Sequence, residues 1–428
     1  MIVHIGITPY QGSKMPPSKK DKRVRNAMVI LVIALAALLL ISAYEVVNYG
    51  HEVKWTAKLP DDYYFQIRQS NDGTIYVYGP EYGLRAFNPD GKLKWIYSDA
   101  GMPAISDNGT AYFGRSAGCT PFGFNALAPD GQISWSYPVA NGSFGIPTIG
   151  PDGTIYVLHD ISNNSTNYGF EFMAFSPQGD LVWERWLQRY PGFAVCVNGT
   201  VLLNTDDNNI TAFSPEGNML WRIPNGPILY DAVCSYTIYQ DVNLGEVGGV
   251  RADLYATALN GSLLWRYPDY LANNTHNMAN LYCIGTPLVD SNGAVYFVRY
   301  NGTGPNPYTS LFAMNPNGTL RWEYRNSTIG MPSVQGDTIV VQTSSGLTTL
   351  NLDGHVKWTV NGHYASSTPL AIGTDGTIYA ITATSDVWNM PNGIVAIGVN
   401  PTLPLIGAFI VIPVIAICLV VIWKAKKD

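Results

Sequence analysis

The stretch "AFNPDGKLKW", Ala86–Trp95, decides the fold. It reads as a strand, a Pro-Asp-Gly turn and a second strand ending in Trp. Pro presets the turn, and Gly supplies the positive φ that closes it. One such hairpin is ordinary, but this one returns along the whole chain. It reappears as "FNALAPDGQISW" (Phe124–Trp135), "FMAFSPQGDLVW" (Phe172–Trp183) and "ITAFSPEGNMLW" (Ile210–Trp221). Further copies are "LYATALNGSLLW" (Leu254–Trp265), "LFAMNPNGTLRW" (Leu311–Trp322) and "LTTLNLDGHVKW" (Leu347–Trp358).

In all seven copies Trp lies four residues after the turn Gly: Trp95, Trp135, Trp183, Trp221, Trp265, Trp322 and Trp358. Two residues after the Gly is aliphatic: Leu93, Ile133, Leu181, Met219, Leu263, Leu320 or Val356. Five residues before it is Ala in six copies and Thr349 in the last. In a regular strand these two later positions share a face, so the aliphatic residue and the Trp are expected in one core. The small Ala leaves room for an indole opposite it.

A second element precedes each hairpin. It reads "DGTIYV" (Asp72–Val77) and recurs from Asn108, Asp152, Asn198, Asn292 and Asp375, with degenerate copies at Tyr236 and Gly336. Pro-led apolar stretches such as "MPAIS" (Met102–Ser106) come before several of them. Each unit of about 40 residues then holds four short strands, the signature of a β-propeller. Eight second strands against seven hairpins leave one outer strand missing. "EVKW" (Glu52–Trp55) aligns with "KLKW" (Lys92–Trp95), so the N-terminal strand is expected to complete the last blade. The predicted fold is all-β: an eight-bladed β-propeller, closed by its N-terminal strand and flanked by two transmembrane helices.

The repeat resembles the quinoprotein-like (PQQ-repeat) eight-bladed propellers, whose units read roughly Ala-x-(Asp/x)-x-x-Gly-x-x-x-Trp. The resemblance covers nearly all of residues 50–400. It implies that the Trp residues wedge between blades, Trp55 included. The family holds dehydrogenases that use pyrroloquinoline quinone with Ca²⁺ at the propeller centre. It also holds non-enzymatic scaffolds, such as the propeller lipoprotein of bacterial outer-membrane assembly. Many of the dehydrogenases carry two adjacent Cys residues, and this chain has no such pair. No carboxylate cluster for Ca²⁺ stands out; the nearest acidic pair is Asp206-Asp207. No cofactor is therefore expected.

Two segments are not globular. "NAMVILVIALAALLLISAY" (Asn26–Tyr44) and "LPLIGAFIVIPVIAICLVVIW" (Leu403–Trp423) are each long enough to cross a bilayer, which takes about 20 residues. The first exceeds the ~7–15 apolar residues of a cleavable signal. Basic residues flank both, Lys14 to Arg25 before the first and Lys424 to Lys427 after the second, so both tails are expected in the cytoplasm. The boundaries read as a basic tail over 1–26, a span over 27–47, a propeller over 50–400, a span over 403–423 and a tail over 424–428. "MPPSKKDKRVRN" from Met15 would itself make a complete basic tail, so translation from either Met1 or Met15 fits. Residues 50–400 hold 16 Lys and Arg against 28 Asp and Glu, a net charge of −12. Nucleic acid is a poor partner for so acidic a surface.

Closure has a consequence for orientation. The turns joining strands 1–2 and 3–4 of each blade are short and lie at one end. The 2–3 and blade-to-blade connections lie at the other, and several are long: Gly114–Phe122, His159–Phe170, Asp241–Arg251 and Pro268–Tyr282. Both links to the membrane leave from the short-turn end, so the long connections are expected to face away from it.

Candidate contact residues at that outer end are Arg115, His159, Asp206, Asp207, His276, Arg299 and Trp388. The histidines read as isolated surface residues without metal spacing. Asp72-Gly73-Thr74 recurs and so reads as a turn rather than as a catalytic triplet. Asn141, Asn163, Asn164, Asn273, Asn301 and Asn326 start Asn-x-Ser/Thr sequons on the long connections and are candidate glycosylation sites. The sequons at Asn108, Asn198, Asn260 and Asn317 coincide with turns. Cys196 and Cys234 precede second strands of adjacent blades and are a candidate disulfide, with buried thiols as the alternative. The functional expectation is a cell-surface binding or scaffolding propeller that contacts a protein or glycan. The alternatives are an extracytoplasmic quinone-dependent dehydrogenase or a subunit of a membrane complex.

Overall fold

The structure is a computed structural model. It describes Ile33 and residues 51–399 apart from 61–65, 116–122, 162–168, 197, 208, 225–231, 235–236, 245–249, 259, 261, 270–286, 302–307, 328, 363–369 and 383–392. Two compact units divide the chain, Glu52–Gly398 and a second formed by Met1–His51 with Val399–Asp428. Both apolar runs fall in the second unit and, Ile33 apart, outside the described residues. No helix among the described residues is long and apolar enough to cross a membrane.

The first unit is all-β and propeller-like. Its described strands form eight antiparallel sheets. The first sheet is Gln66–Gln69, Ile75–Gly79, Gly83–Phe87 and Leu93–Tyr97, in chain order. Six more follow the same meander, the third with one extra short strand. The eighth sheet combines Ala371–Ile372, Ile378–Thr382 and Gly393–Val399 with the N-terminal strand His51–Lys58, as the "EVKW" alignment predicts. First strands of consecutive sheets are neighbours: Phe193–Val195 beside Ala232–Cys234, then Leu288–Val289, Ser333–Gln335, Ala371–Ile372 and finally Gln66–Gln69.

Three strands of each unit meet across one row. Tyr76 pairs with Ala86 and Ala86 with Trp95; Tyr156, Ala174 and Trp183 repeat this, as do Tyr296, Ala313 and Trp322. The Ala residues are fully buried, and the two rings close over them, 5.9 Å apart at Tyr76–Trp95 and at Tyr296–Trp322. The smallness of the Ala position is thus a packing requirement.

Six of these indoles reach the next sheet. Trp Nε1 donates to the carbonyl two residues before the next turn Gly: Trp55 to Pro89 at 2.8 Å, Trp95 to Pro129 at 2.9 Å and Trp135 to Pro177 at 3.0 Å. Trp183 to Pro215 at 2.7 Å, Trp265 to Pro316 at 2.9 Å and Trp322 to Leu352 at 2.8 Å continue the series. The turn glycine underneath has a positive φ, +85° at Gly131, and a Cβ there would stand 2.8 Å from the Trp95 ring. The Gly is therefore required twice, by the turn and by the indole of the preceding sheet.

Six of the seven aliphatic residues after the turn are exposed, and only Leu181 packs with a Trp, Trp135, against a buried cluster. Leu93 is 48% exposed and Met219 61%. The reason is a bulge in every outer hairpin. Trp95 pairs with Ala86, but Leu93, not Lys94, pairs with Phe87. Ala86 and Phe87 point to opposite faces, so their partners do too. One extra residue thus puts Leu93 on the other side of the strand from Trp95. The expected long connection at Asp241–Arg251 is also different. The strands Thr237–Leu244 and Val250–Thr257 run through it, with Asp241 opposite Asp253 and Leu244 opposite Val250.

Candidate binding surface at the long-connection end

The short-turn end is occupied by its own hydrogen bonds. In the first sheet, Gly73 N–H donates to Ser70 O at 2.9 Å and Ser70 N–H to Thr74 O at 3.0 Å. Asp72 accepts from both the amide and the hydroxyl of Thr74, each at 3.0 Å. Asp152 with Thr154 and Asp375 with Thr377 repeat the arrangement. Lysines from the outer strand close over it: Lys54 Nζ donates to Thr377 Oγ1 at 2.7 Å, Lys94 to Thr74 Oγ1 at 3.2 Å and Lys357 to Thr338 Oγ1 at 2.9 Å. The Asp-Gly-Thr motif is a turn, as its recurrence predicts. Asn108, Asn198, Asn260 and Asn317 accept the amide two residues on in the same way. Lys54 lies against Gly398 here.

The opposite end carries the described candidate contact residues. Arg115 sits in the second sheet, bridged to Ala100. Asp206 accepts the amides of Gln188 (2.9 Å) and Arg189 (3.1 Å), pinning the link from the third to the fourth sheet. Asp207 accepts from Thr205 Oγ1 at 2.6 Å and pairs with Arg222 at 3.1 Å. The Thr205 hydroxyl and the Arg222 charge hold its carboxyl below the usual carboxylate range. Beside these, Trp186 and Tyr190 are 54% and 74% exposed, with Tyr190 edge-on to Phe170 at 5.5 Å.

The sixth sheet holds the densest polar group. Glu323 receives Arg325 Nε and an Arg325 terminal nitrogen, each at 2.8 Å, and Ser310 Oγ at 2.7 Å. Its carboxyl is held below the ordinary range first by Arg325, then by Ser310, with Arg299 adding its charge. The Arg325 guanidinium lies 5.2 Å from the Tyr308 ring centre. Two arginines and a tyrosine thus surround one carboxylate, a composition common in contact hot spots. Arg299 was legible in sequence; Glu323, Arg325, Tyr308 and Ser310 were missed. The signal was the spacing Glu323-x-Arg325, which puts opposite charges on one face of a strand. Next to it, Asn326 accepts from Ser344 Oγ at 3.2 Å.

His159 is not a surface residue. It lies within the strand Ile155–Asp160 and is 3% exposed. The expected loop begins later because His159 pairs with Phe144 on one side and Glu171 on the other. The structure brings it together with Asn141, whose carbonyl lies 2.9 Å from His159 Nε2. His276, Trp388, Asn163, Asn164 and Asn273 lie outside the described residues, and the Asn301 side chain is likewise undescribed. Cys196 is buried against Ala194, Leu202 and Ile210, while the Cys234 side chain is outside the description.

Among the described residues no group of three or more His, Cys, Asp or Glu could hold a metal ion. Asp206 and Asp207 are engaged with backbone amides, Thr205 and Arg222 instead.

Known proteins agree on the fold. No curated protein matches the chain. Among solved structures, the Dos1 propeller superposes with a TM-score of 0.51 at 10% identity, covering 83% of this chain and 97% of that one. BamB from Moraxella catarrhalis gives 0.48 at 17% identity, covering 81% and 99%. The WD40 propeller domain of Doa1 gives 0.41 at 11% identity, covering 83% and 99%. The sequence profile of one family matches residues 123–359, more than half of the chain and six of its repeated hairpins. The chain belongs to the PQQ-repeat family described as outer membrane protein assembly factor BamB.

Proposed function

We propose that this protein is a non-enzymatic binding or scaffolding propeller of eight blades, held at a cell membrane by two helices. The single observation that carries it is the division of labour between the two ends. The recurrent Asp, Thr, Gly and Trp residues are used up in turns and sheet-to-sheet contacts. The non-repeating Arg, Glu, Tyr and Trp side chains stand at the long-connection end. Eight sheets, first strands in sequence and an N-terminal strand in the last sheet support the ring. The family description names a protein assembly factor, which supports a binding role. Two apolar runs with basic flanks support the anchors, with both tails in the cytoplasm and the propeller outside. Asn141, Asn163, Asn164, Asn273, Asn301 and Asn326 are the glycan acceptors this orientation exposes.

The partner is proposed to be a protein that meets the Arg299–Glu323–Arg325 group. The test is photo-crosslinking from a side chain placed at Tyr308 of the full-length chain on intact cells, comparing the otherwise wild-type chain with Arg325→Glu. A discrete heteromeric adduct that falls at least tenfold in the variant is expected. An adduct of equal yield in both, or none in either, contradicts the assignment.

A further inference from the structure

The third sheet departs from the repeat. Two short strands, Ser143–Phe144 and Thr148–Ile149, pair along the same edge of Ile155–Asp160. The extra one lies at the long-connection end, where Ser143 faces Asp160 and Phe144 faces His159. The Phe144 ring stacks on the His159 imidazole at 4.5 Å and 18°.

Both imidazole nitrogens face acceptors. Nδ1 lies 3.0 Å from Glu171 Oε2 and Nε2 lies 2.9 Å from the carbonyl of Asn141. A carboxylate and a carbonyl can only accept. A neutral imidazole carries one N–H, and its other nitrogen would present a lone pair to one of these oxygens. The imidazolium carries two N–H groups and satisfies both. Burial raises the stakes, since the His159 side chain is 4% exposed and water cannot replace a lost partner.

We propose that His159 is a proton-operated latch that holds the Asn141–Phe144 segment against the third sheet. With the proton on, the ring donates to Glu171 and to Asn141, and the extra strand is fastened. With the proton off, one N–H remains. It stays with the Glu171 carboxylate, and the Asn141 carbonyl is released. Glu171 is the charged group facing the ring from the neighbouring strand. Asp160 follows on its own strand, and Arg115 follows Gly114 on the strand behind Phe144. The segment 139–145 brings no charge. The latch sits at the end proposed above to meet a partner. Its bearing on binding rests on that reading, but the latch itself does not.

The test is hydrogen exchange of the full-length chain without partner, from pH 5.5 to pH 8.5, corrected for intrinsic exchange. The readout is the segment around Gly145, whose amide donates to Leu158 O at 2.7 Å, against the core strand Ile75–Gly79. Protection of that segment is expected to fall about tenfold as pH rises, with the core strand unchanged. His159→Gln, which cannot take up the proton, is expected to give a flat profile. Gly142→Ala supplies a second control. Its Cβ would stand 2.6 Å from His159 Nε2, so the latch is expected to be loose at every pH. Protection in wild type that does not change with pH overturns the proposal, as does a wild-type profile retained by His159→Gln. Because no partner is present, neither result depends on the crosslinking outcome.

Discussion

Trp95 Nε1 donates to the carbonyl of Pro129 at 2.9 Å, and the same ring covers the turn glycine Gly131 of the next sheet. The motif that makes one hairpin therefore also fastens it to its neighbour. Trp95→Phe keeps an aromatic ring and loses the donor, so it is expected to cost about 1–2 kcal/mol. Gly131→Ala meets both a strained φ and the indole and is expected to cost at least about 2 kcal/mol. In a double-mutant cycle by denaturant unfolding, the two losses should couple by at least about 0.5 kcal/mol. Strict additivity would mean that the contact contributes nothing.

The bulge makes a contrast within one sheet. Leu93 is half exposed on the outer strand, whereas Leu84 is 1% exposed. Leu93→Ser is expected to change stability by no more than about 1 kcal/mol. Leu84→Ala is expected to cost about 2–5 kcal/mol. Equal losses would place Leu93 in the core after all.

Glu323 gives the sixth sheet an acid sensitivity. Arg325 and then Ser310 depress its carboxyl in the folded state below its unfolded value of 4.5. Its contribution is present above the unfolded value and is lost as pH falls through the folded one. Thermal unfolding of wild type should therefore weaken more steeply than that of Glu323→Gln as pH drops below about 4.5. Parallel curves would remove Glu323 as a source of that slope.

Pyrroloquinoline quinone added with Ca²⁺ is expected to leave the unfolding temperature of the full-length chain unchanged. A site filled at 100 times its Kd would add about 2.7 kcal/mol. A clear rise would reinstate the dehydrogenase reading.

The repeat made the ring of sheets legible because its signals are local. Gly91 closes a turn, Ala86 makes room and Trp95 fills it, all within ten residues. "EVKW" was legible for the same reason, as a copy without its hairpin. What alternation alone could not show was the bulge, which shifts register between Ala86 and Phe87 without any marker residue. His159 was misread because its burial comes from Phe144, in a strand that no other sheet has among the described residues. The site was legible only in part: Arg299 stood out as a charge in an apolar strand, but Glu323 looked like an ordinary polar position until Ser310 and Arg325 were placed around it.

The most direct measurement places a photo-crosslinking side chain at single positions of the full-length chain in intact cells. Positions Asp207, Arg299 and Arg325 sample the long-connection end, and Asp90, Asp130 and Asp353 the short-turn end. The account predicts one protein adduct from the first group and none from the second. The same adduct from the short turns, with silence at the long connections, would contradict it.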